Sequence, residues 1–584
     1  MKKSIWRVMV VAVCAAVPCE AQFVEVNPSL TTLGHGWEAR SADFNLDGRM
    51  DLVNVPKVFI NSGGGAFTFL MQLNTTWMDD IFDYNNDGYP DILYSTNIWR
   101  NNGGSSFTLI GGTGLPYVKN GDPNWSDVKC GDYDNDGRTD VLLTGQFAYY
   151  AGYPVPGVPK LYRNVGNGHF VDSGAVFPYP VINGSVFWVD VDNDGYLDIS
   201  LMGQTNTYSS PFAAIFRNNH DGTFTDINVN LPGAAFAQQD WADMDNDGDF
   251  DIAFAGQGSP IGSQNAIRRV FRNDGGGVFS PFPFPVPDVS WTSIRWGDCN
   301  ADGFVDLAVQ GILPYPLDFY WNTYRGVWLN NNGQGFAQYQ NMAPYINYMG
   351  FNYDMNKGEW IDFDGDGRLD VFQTYHCNYQ YSKRWRNTSL PPNNRPKTPQ
   401  LVTPDGIVFH PPGNNNEITL EWIPDPANAD ETPNQALTFD LWVGTSPTVC
   451  NVVSADGADH LLHGTLLGNV QNGTFAKLRG LGGFVNSPTY YWKIRAVDNG
   501  KQCSPWTQLR TFKVVPKIVV STNVAAVTNW VPLTNHPGPI IIYTNVVAIT
   551  NWVPLTNIFG KSVASSLAPA APAKATVQDF RLSK

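Results

Sequence analysis

Residues 132–145 read DYDNDGRTDVLLTG. Asp132, Asp134 and Asp136 alternate, Gly137 follows, Asp140 comes three places later, and an apolar run begins. Alternating oxygen donors ahead of a sharp turn suit a loop that wraps a hard cation. The EF-hand is the first template, and it needs a bidentate Glu at its twelfth place and a helix on each side. The twelfth residue here is Leu143, and the run after Asp140 is short and strand-like. This loop therefore closes at its ninth residue, between strands.

Six companions share the pattern. DFNLDGRMD starts at Asp43, DYNNDGYPD at Asp83, DVDNDGYLD at Asp190, DMDNDGDFD at Asp243, DCNADGFVD at Asp298 and DFDGDGRLD at Asp362. Their twelfth residues are Asn54, Tyr94, Leu201, Phe254, Val309 and Gln373, none acidic. First residues stand 40 to 64 positions apart, a period that signals a repeat architecture. Trp188, Trp241, Trp296 and Trp360 lie two residues before a loop, and Cys130 holds that place in the third copy. These read as the packed face of an incoming strand. After each loop comes an apolar run such as VLLTG or IAFAG. A strand ending in Arg-Asn or a relative follows, with an Asn/Gly hairpin, as in LYRNVGNGHF and VFRNDGGGVF. Strand, acidic loop, strand, long connection, strand, hairpin, strand makes one four-stranded propeller blade. The seventh unit stops at YSKRWRNTSL without its hairpin, and QFVEVNPSL (22–30) resembles the missing strand. The expectation is that this N-terminal strand closes the last blade and leaves no open edge.

The side-chain ligand set predicted for each loop is its first, third, fifth and ninth residues, with the seventh residue's carbonyl. In the first two loops these are Asp43, Asn45, Asp47, Arg49 and Asp51, then Asp83, Asn85, Asp87, Tyr89 and Asp91. The next two give Asp132, Asp134, Asp136, Arg138 and Asp140, then Asp190, Asp192, Asp194, Tyr196 and Asp198. The last three give Asp243, Asp245, Asp247, Asp249 and Asp251; Asp298, Asn300, Asp302, Phe304 and Asp306; and Asp362, Asp364, Asp366, Arg368 and Asp370. Many flexible oxygen donors favour Ca²⁺ over Mg²⁺, and the lack of His and Cys ligands argues against zinc. The 28 side-chain places hold 25 carboxylates and three asparagines, in a chain of formal charge -16. Up to seven structural Ca²⁺ ions would relieve that crowding and couple folding to occupancy. The Asn-bearing loops are expected to bind most weakly, since ligand charge tunes affinity.

From Gln22 to Ser389 these units resemble FG-GAP repeats, also called VCBS repeats, of the integrin alpha-chain N-terminal type. The resemblance rests on the D-x-D-x-D-G-x-x-D loops; the FG and GAP tags are degraded. It implies a seven-bladed β-propeller with calcium between the first two strands of blades. It predicts fold and metal better than role.

The connections after the second strands emerge on the face opposite the acidic loops and are long and aromatic. Gln146, Tyr150, Gln204, Gln257, Tyr320 and Trp321 are the candidate contacts there for a glycan or protein ligand. The acidic charge and pI of about 4.8 argue against a nucleic-acid partner. No G-x-S-x-G, H-E-x-x-H or clear nucleophile–base set appears, and His460 and His463 beside Asp459 read as a polar loop.

Residues 1–21 read as a secretory signal, with Lys2, Lys3 and Arg7 ahead of an apolar Val8–Val17 and cleavage after Ala21. No later segment is apolar enough for a membrane-spanning helix, so a secreted or surface location is expected. Removing the signal leaves five cysteines, of which Cys450 and Cys503 either bridge or stay as separate thiols. A Pro/Asn-rich linker covers 390–397. Residues 398–516 alternate in period two, as in ITLEW and TYYWKIRAV. They resemble a fibronectin type III domain, which implies Trp422 as core and Tyr490 as corner tyrosine. Residues 517–560 hold two copies of a TNWVPLTN-containing segment, 22 residues apart, whose strands could pair with one another or with another chain; 561–584 read as a flexible tail. Three roles stay open: recognition or adhesion, a secreted glycan-active enzyme of the polysaccharide-lyase kind, and a structural surface component.

Overall fold

The computed structural model describes residues 23–26, 39–75, 78–116, 127–150, 153–205, 210–259, 265–312, 323–342, 358–375, 381–388, 391–409, 417–428, 430–454, 470–481, 488–515, 519–521 and 541–543. Among them the chain is all-β, with no α-helix.

Seven four-stranded antiparallel sheets follow one another along residues 23–387, consistent with a β-propeller. The third is representative: Val128–Gly131, Asp140–Tyr150, Tyr153–Asn164 and Phe170–Asp172 pair in chain order. The acidic loop joins the first two strands, and every second strand begins at the loop's ninth Asp. In the seventh sheet Phe23–Val26 is the fourth strand, pairing Phe23 with Asn387 and Val26 with Arg384.

Packing between sheets explains the tryptophans. Trp188, Trp241, Trp296 and Trp360 are fully buried. The indole N–H groups of Trp188, Trp296 and Trp360 donate to Lys129 O, Asp240 O and Arg295 O, on the first strand of the sheet before. Cys130 is buried in the same role. A large ring wedged between sheets removes apolar area from water and fixes spacing at once.

A second device is an asparagine at the end of every third strand: Asn61, Asn101, Asn164, Asn218, Asn273, Asn330 and Asn387, all buried. Asn164 shows the pattern. Its N–H donates to Asp140 Oδ1 (2.7 Å), and its side-chain amide donates to Tyr84 O of the previous sheet (3.0 Å). The amide of Asn387 reaches Cys299 O at 2.7 Å, and that of Asn61 reaches Phe363 O at 3.0 Å. The last bond runs from the first sheet to the seventh, so the succession is cyclic.

Residues 400–515 form two sheets with one core. Gln400–Thr403, Ile418–Ile423 and Phe475–Leu478 make a three-stranded sheet. Thr438–Gly444, Thr489–Val497 and Arg510–Val515 pair antiparallel, and Gly406–Phe409 joins Arg510–Val515 in parallel. Trp422, Phe439, Trp492 and Phe512 meet between them, giving a sandwich. Tyr490 is buried and stacks on Phe512 at 5.2 Å. Cys450 and Cys503 are separate thiols. Within 390–397 three residues are tied down: the Asn394 amide donates to Glu431 Oε1 (2.8 Å), Lys397 N donates to Asn428 Oδ1 (3.1 Å), and Asn393 makes two bonds. Asn393 N donates to Gly367 O (3.1 Å), and its amide donates to Asp498 Oδ1 (3.0 Å). In the duplicated region Val519–Ser521 pairs in parallel with Ile541–Tyr543 at the 22-residue offset of the duplication.

Candidate metal centres

Each acidic loop is a tight turn held by its own first and ninth aspartates. In the third loop Asp132 Oδ1 accepts from Asp136 N (3.0 Å) and Oδ2 from Gly137 N (2.7 Å). Asp140 Oδ2 accepts from Tyr133 N (3.3 Å), while Oδ1 takes the Asn164 N–H. The fourth residue adopts positive φ in every loop (Leu46, Asn86, Asn135, Asn193, Asn246, Ala301 and Gly365). Asn tolerates this region better than other side-chain-bearing residues. Four of these asparagines also brace the next loop: Asn86, Asn135, Asn193 and Asn246 donate to the carbonyls of Gly137, Gly195, Gly248 and Gly303.

Four loops bring three carboxylates to within 4.8 Å of one another: Asp132/Asp134/Asp136, Asp190/Asp192/Asp194, Asp243/Asp245/Asp251 and Asp362/Asp364/Asp366. Only in the loop at Asp243 does the ninth residue join the group. In all seven loops, this one included, the ninth Asp also ties the loop to the third strand by accepting the N–H of its terminal Asn. The loops at Asp43, Asp83 and Asp298 have Asn45, Asn85 and Asn300 at the third place, and there the amide donates to the fifth Asp. Those bonds are Asn45 to Asp47 (3.0 Å), Asn85 to Asp87 and Asn300 to Asp302 (both 2.9 Å).

The electrostatics are those of anions short of a cation. Burial, aided by the neighbouring carboxylates, pushes Asp83, Asp190 and Asp298 up to about 7 and Asp243 up to about 8. It pushes Asp198 up to about 8 and Asp370 up to about 9. Asp132, Asp140, Asp251 and Asp306 are raised well above the usual carboxylate range for the same reasons. The third-position carboxylates give a sharper test of fit. Asp192 Oδ1, Asp245 Oδ1 and Asp364 Oδ1 are buried with no hydrogen-bond partner. A buried anionic oxygen without a donor is costly, and a cation in the loop would satisfy it.

The outer oxygens are served by the third strand. Arg163 Nε meets Asp134 at 2.6 Å and its Nη2 meets Asp136 at 2.6 Å. Arg386 Nε meets Asp364 at 2.6 Å, Arg272 lies 3.7 Å from Asp245, and Arg217 lies 3.9 Å from Asp192. His220 Nε2 meets Asp194 at 2.5 Å. The arginine before the latch asparagine, visible in the sequence only as a repeated Arg-Asn pair, is thus a counter-ion on the outside of the loop.

The opposite face is described in part. Gln204 and Gln257 are 1% and 4% exposed, within strands paired on both sides. Gln204 Oε1 accepts from the Asn183 side-chain amide at 2.9 Å. Both glutamines belong to the framework because their strands run on past the point where the sequence suggested loops. Gln146 and Tyr150 lie on the long second strand of the third sheet, opposite Pro156 and Tyr153. Tyr320 and Trp321 lie outside the described residues, as do His460, His463 and Asp459.

In sequence, the FG-GAP-like repeat family matches residues 83–143 and 243–309, which contain four of the seven loops. No curated protein matches the chain. Among solved structures, the extracellular domain of a putative one-component system from B. thetaiotaomicron is similar at 11% identity and TM-score 0.35, over 85% of this chain and 59% of that one. The V. cholerae biofilm matrix protein Bap1 is similar at 10% identity and TM-score 0.21, over 86% and 75%. The Tc holotoxin pore of Photorhabdus luminescens gives 16% identity and TM-score 0.31, over 63% and 14%. The chain spans less than two thirds of the length of the first and third of these.

Proposed function

We propose that this chain is an exported calcium-binding protein, built as a seven-bladed β-propeller with a fibronectin type III-like sandwich. In this reading it recognises a glycan or protein ligand at the cell surface or in the surrounding matrix. The observation that carries the metal assignment is the set of buried, unpartnered oxygens on Asp192, Asp245 and Asp364, each inside a turn of like charges. Calcium would supply the neutralising charge, and the loop carboxylates with the seventh-residue carbonyls would hold it. Recognition falls to the face away from the loops, where the second and third strands of sheets three to seven lengthen. In sheet three they run 11 and 12 residues, against four and five in sheet two. Long, aromatic-rich hairpins on a rigid ring are a suitable place for contacts with sugars or proteins.

Two measurements test the proposal. Metal analysis after mild dialysis should find bound Ca²⁺, and chelator should lower the melting temperature; an unmoved melting curve with no calcium sinks the metal assignment. A glycan array in calcium buffer should show binding without product release. New reducing ends or unsaturated sugars from a polysaccharide panel would replace recognition with catalysis.

A further inference from the structure

The acidic-loop face is covered by the chain's own sandwich. Its turns reach atoms of the loops themselves. Gln471 Oε1 accepts from Asp190 N at 2.7 Å, and Asn499 O accepts from Asp298 N at 2.9 Å. Both bonds fix the backbone of a loop's first residue. Lys477 Nζ donates to Asp194 O at 2.6 Å, and Arg479 N donates to Asn135 O at 2.7 Å.

The sixth-residue glycines mark how close the approach is. A Cβ on Gly137 would stand 2.2 Å from Val452 O, one on Gly303 2.0 Å from Glu431 O, and one on Gly195 2.7 Å from the Phe475 ring. These glycines already need positive φ, so their missing side chains serve the turn and the contact together. Gly48, in the loop at Asp43, has nothing within 4 Å. Near the centre, Lys501 Nζ donates to Trp360 O at 3.3 Å and is drawn toward Glu359 and Asp240 on first strands. One domain therefore grips turns from several sheets at the atoms that would position metal ligands.

We infer that calcium occupancy of these loops and docking of the sandwich onto them are coupled, each strengthening the other. This rests on the calcium assignment made above. The physical reason is shared geometry. An ion fixes the shape of the turn whose N–H and C=O groups the sandwich reads. The sandwich, in turn, holds the turn in its ion-binding shape. Coupling of this kind is reciprocal in free energy, so it can be measured from either side.

The test uses the full chain. Removing calcium should raise the radius of gyration in small-angle scattering and speed protease cleavage within 390–397 by about ten-fold. Because chelation can also loosen the ring, the reverse arm is decisive. A Gln471→Ala/Asn499→Ala variant removes the Gln471 acceptor of Asp190 N. It also removes the Asn499 side-chain amide, which donates to Gly303 O at 2.9 Å in the loop at Asp298. Kept folded in saturating calcium, it should weaken calcium binding about ten-fold at the loops starting at Asp190 and Asp298. The loop at Asp43 should be unchanged. Calcium titrations that are identical in the variant and the parent overturn the coupling while leaving the calcium assignment intact. A parent chain that binds no calcium overturns both.

Discussion

Four acidic loops carry Asp at the third place and three carry Asn, and the two kinds reach balance differently. In the Asn loops the amide gives its N–H to the fifth Asp, and its oxygen accepts that residue's N–H, as for Asn45 with Asp47 (3.1 Å). The turn satisfies itself. In the Asp loops the extra charge needs help from outside. Each has a third-strand arginine directed at its carboxylates: Arg163, Arg217, Arg272 or Arg386. The corresponding residues of two Asn loops are Ile60 and Leu329, while the third, Arg100, donates to Asn102. The Asp loops at Asp190, Asp243 and Asp362 still keep a buried oxygen with no partner. Raw carboxylate count therefore overstates how strongly the two kinds differ, because arginine offsets part of the added charge.

Calcium removal should have the largest effect. A site held at a hundred times its dissociation constant adds about 2.7 kcal/mol. Several such sites rival the stability of a typical domain, ~5–15 kcal/mol. The melting temperature should fall by about 10 °C or more in chelator. Stepwise dialysis followed by mass spectrometry sharpens the comparison. The Asn loops should empty first and leave four ions. Uniform loss from seven to none would mean that the third residue does not set affinity.

The pH response comes next, and its sign depends on metal. Asp198, Asp243 and Asp370 sit at about 8, 8 and 9 in the fold, against 3.8 as a reference. The metal-free folded state therefore holds more protons than the unfolded state from about pH 4 to 9. Its stability should fall as pH rises through that window. With calcium the slope should reverse on the acid side, since protons then compete with the ion. Melting curves at pH 5.5 and 8.5, with and without chelator, check this. Equal slopes in both buffers would remove the buried carboxylates as its cause.

Asn387→Ala probes what both kinds of loop share. It leaves Cys299 O and Leu369 O without their donor. Two buried carbonyls stripped of a bond should cost about 2–4 kcal/mol in denaturant melts, whatever the calcium level.

This latch also shows where the sequence stops being readable. The loops, the strand boundaries at the ninth Asp, and the buried tryptophans all follow from local pattern, because turn chemistry and period-two burial act over a few residues. The Arg-Asn pair was equally visible, but its partner is not local. Asn164 bonds a carbonyl 80 residues earlier, and nothing near Asn164 names it. The docking of the sandwich is hidden for a related reason. Gln471, Lys477 and Asn499 are ordinary polar residues until the fold sets them against the loops. Gln204 and Gln257 misled because glycine before glutamine reads as a strand end, while pairing on both sides carries the strand onward.

The smallest effects separate charge from shape within the comparison. Asn300→Asp adds a carboxylate to a loop whose third strand offers Leu329 instead of arginine. The new charge has no outer partner. Calcium affinity at that loop should rise about ten-fold, and metal-free stability should fall by ~1 kcal/mol. Arg163→Ala makes the converse change in an Asp loop by removing the cation from Asp134 and Asp136. Arg163 is partly exposed, so the pair is screened and worth under ~1 kcal/mol. Its loss should raise calcium affinity there about three-fold, since the arginine repels the ion as well as bracing its ligands. If Arg163→Ala instead weakens binding, the arginine acts chiefly by holding the two carboxylates in place, and the contrast between the two kinds of loop is one of geometry before charge.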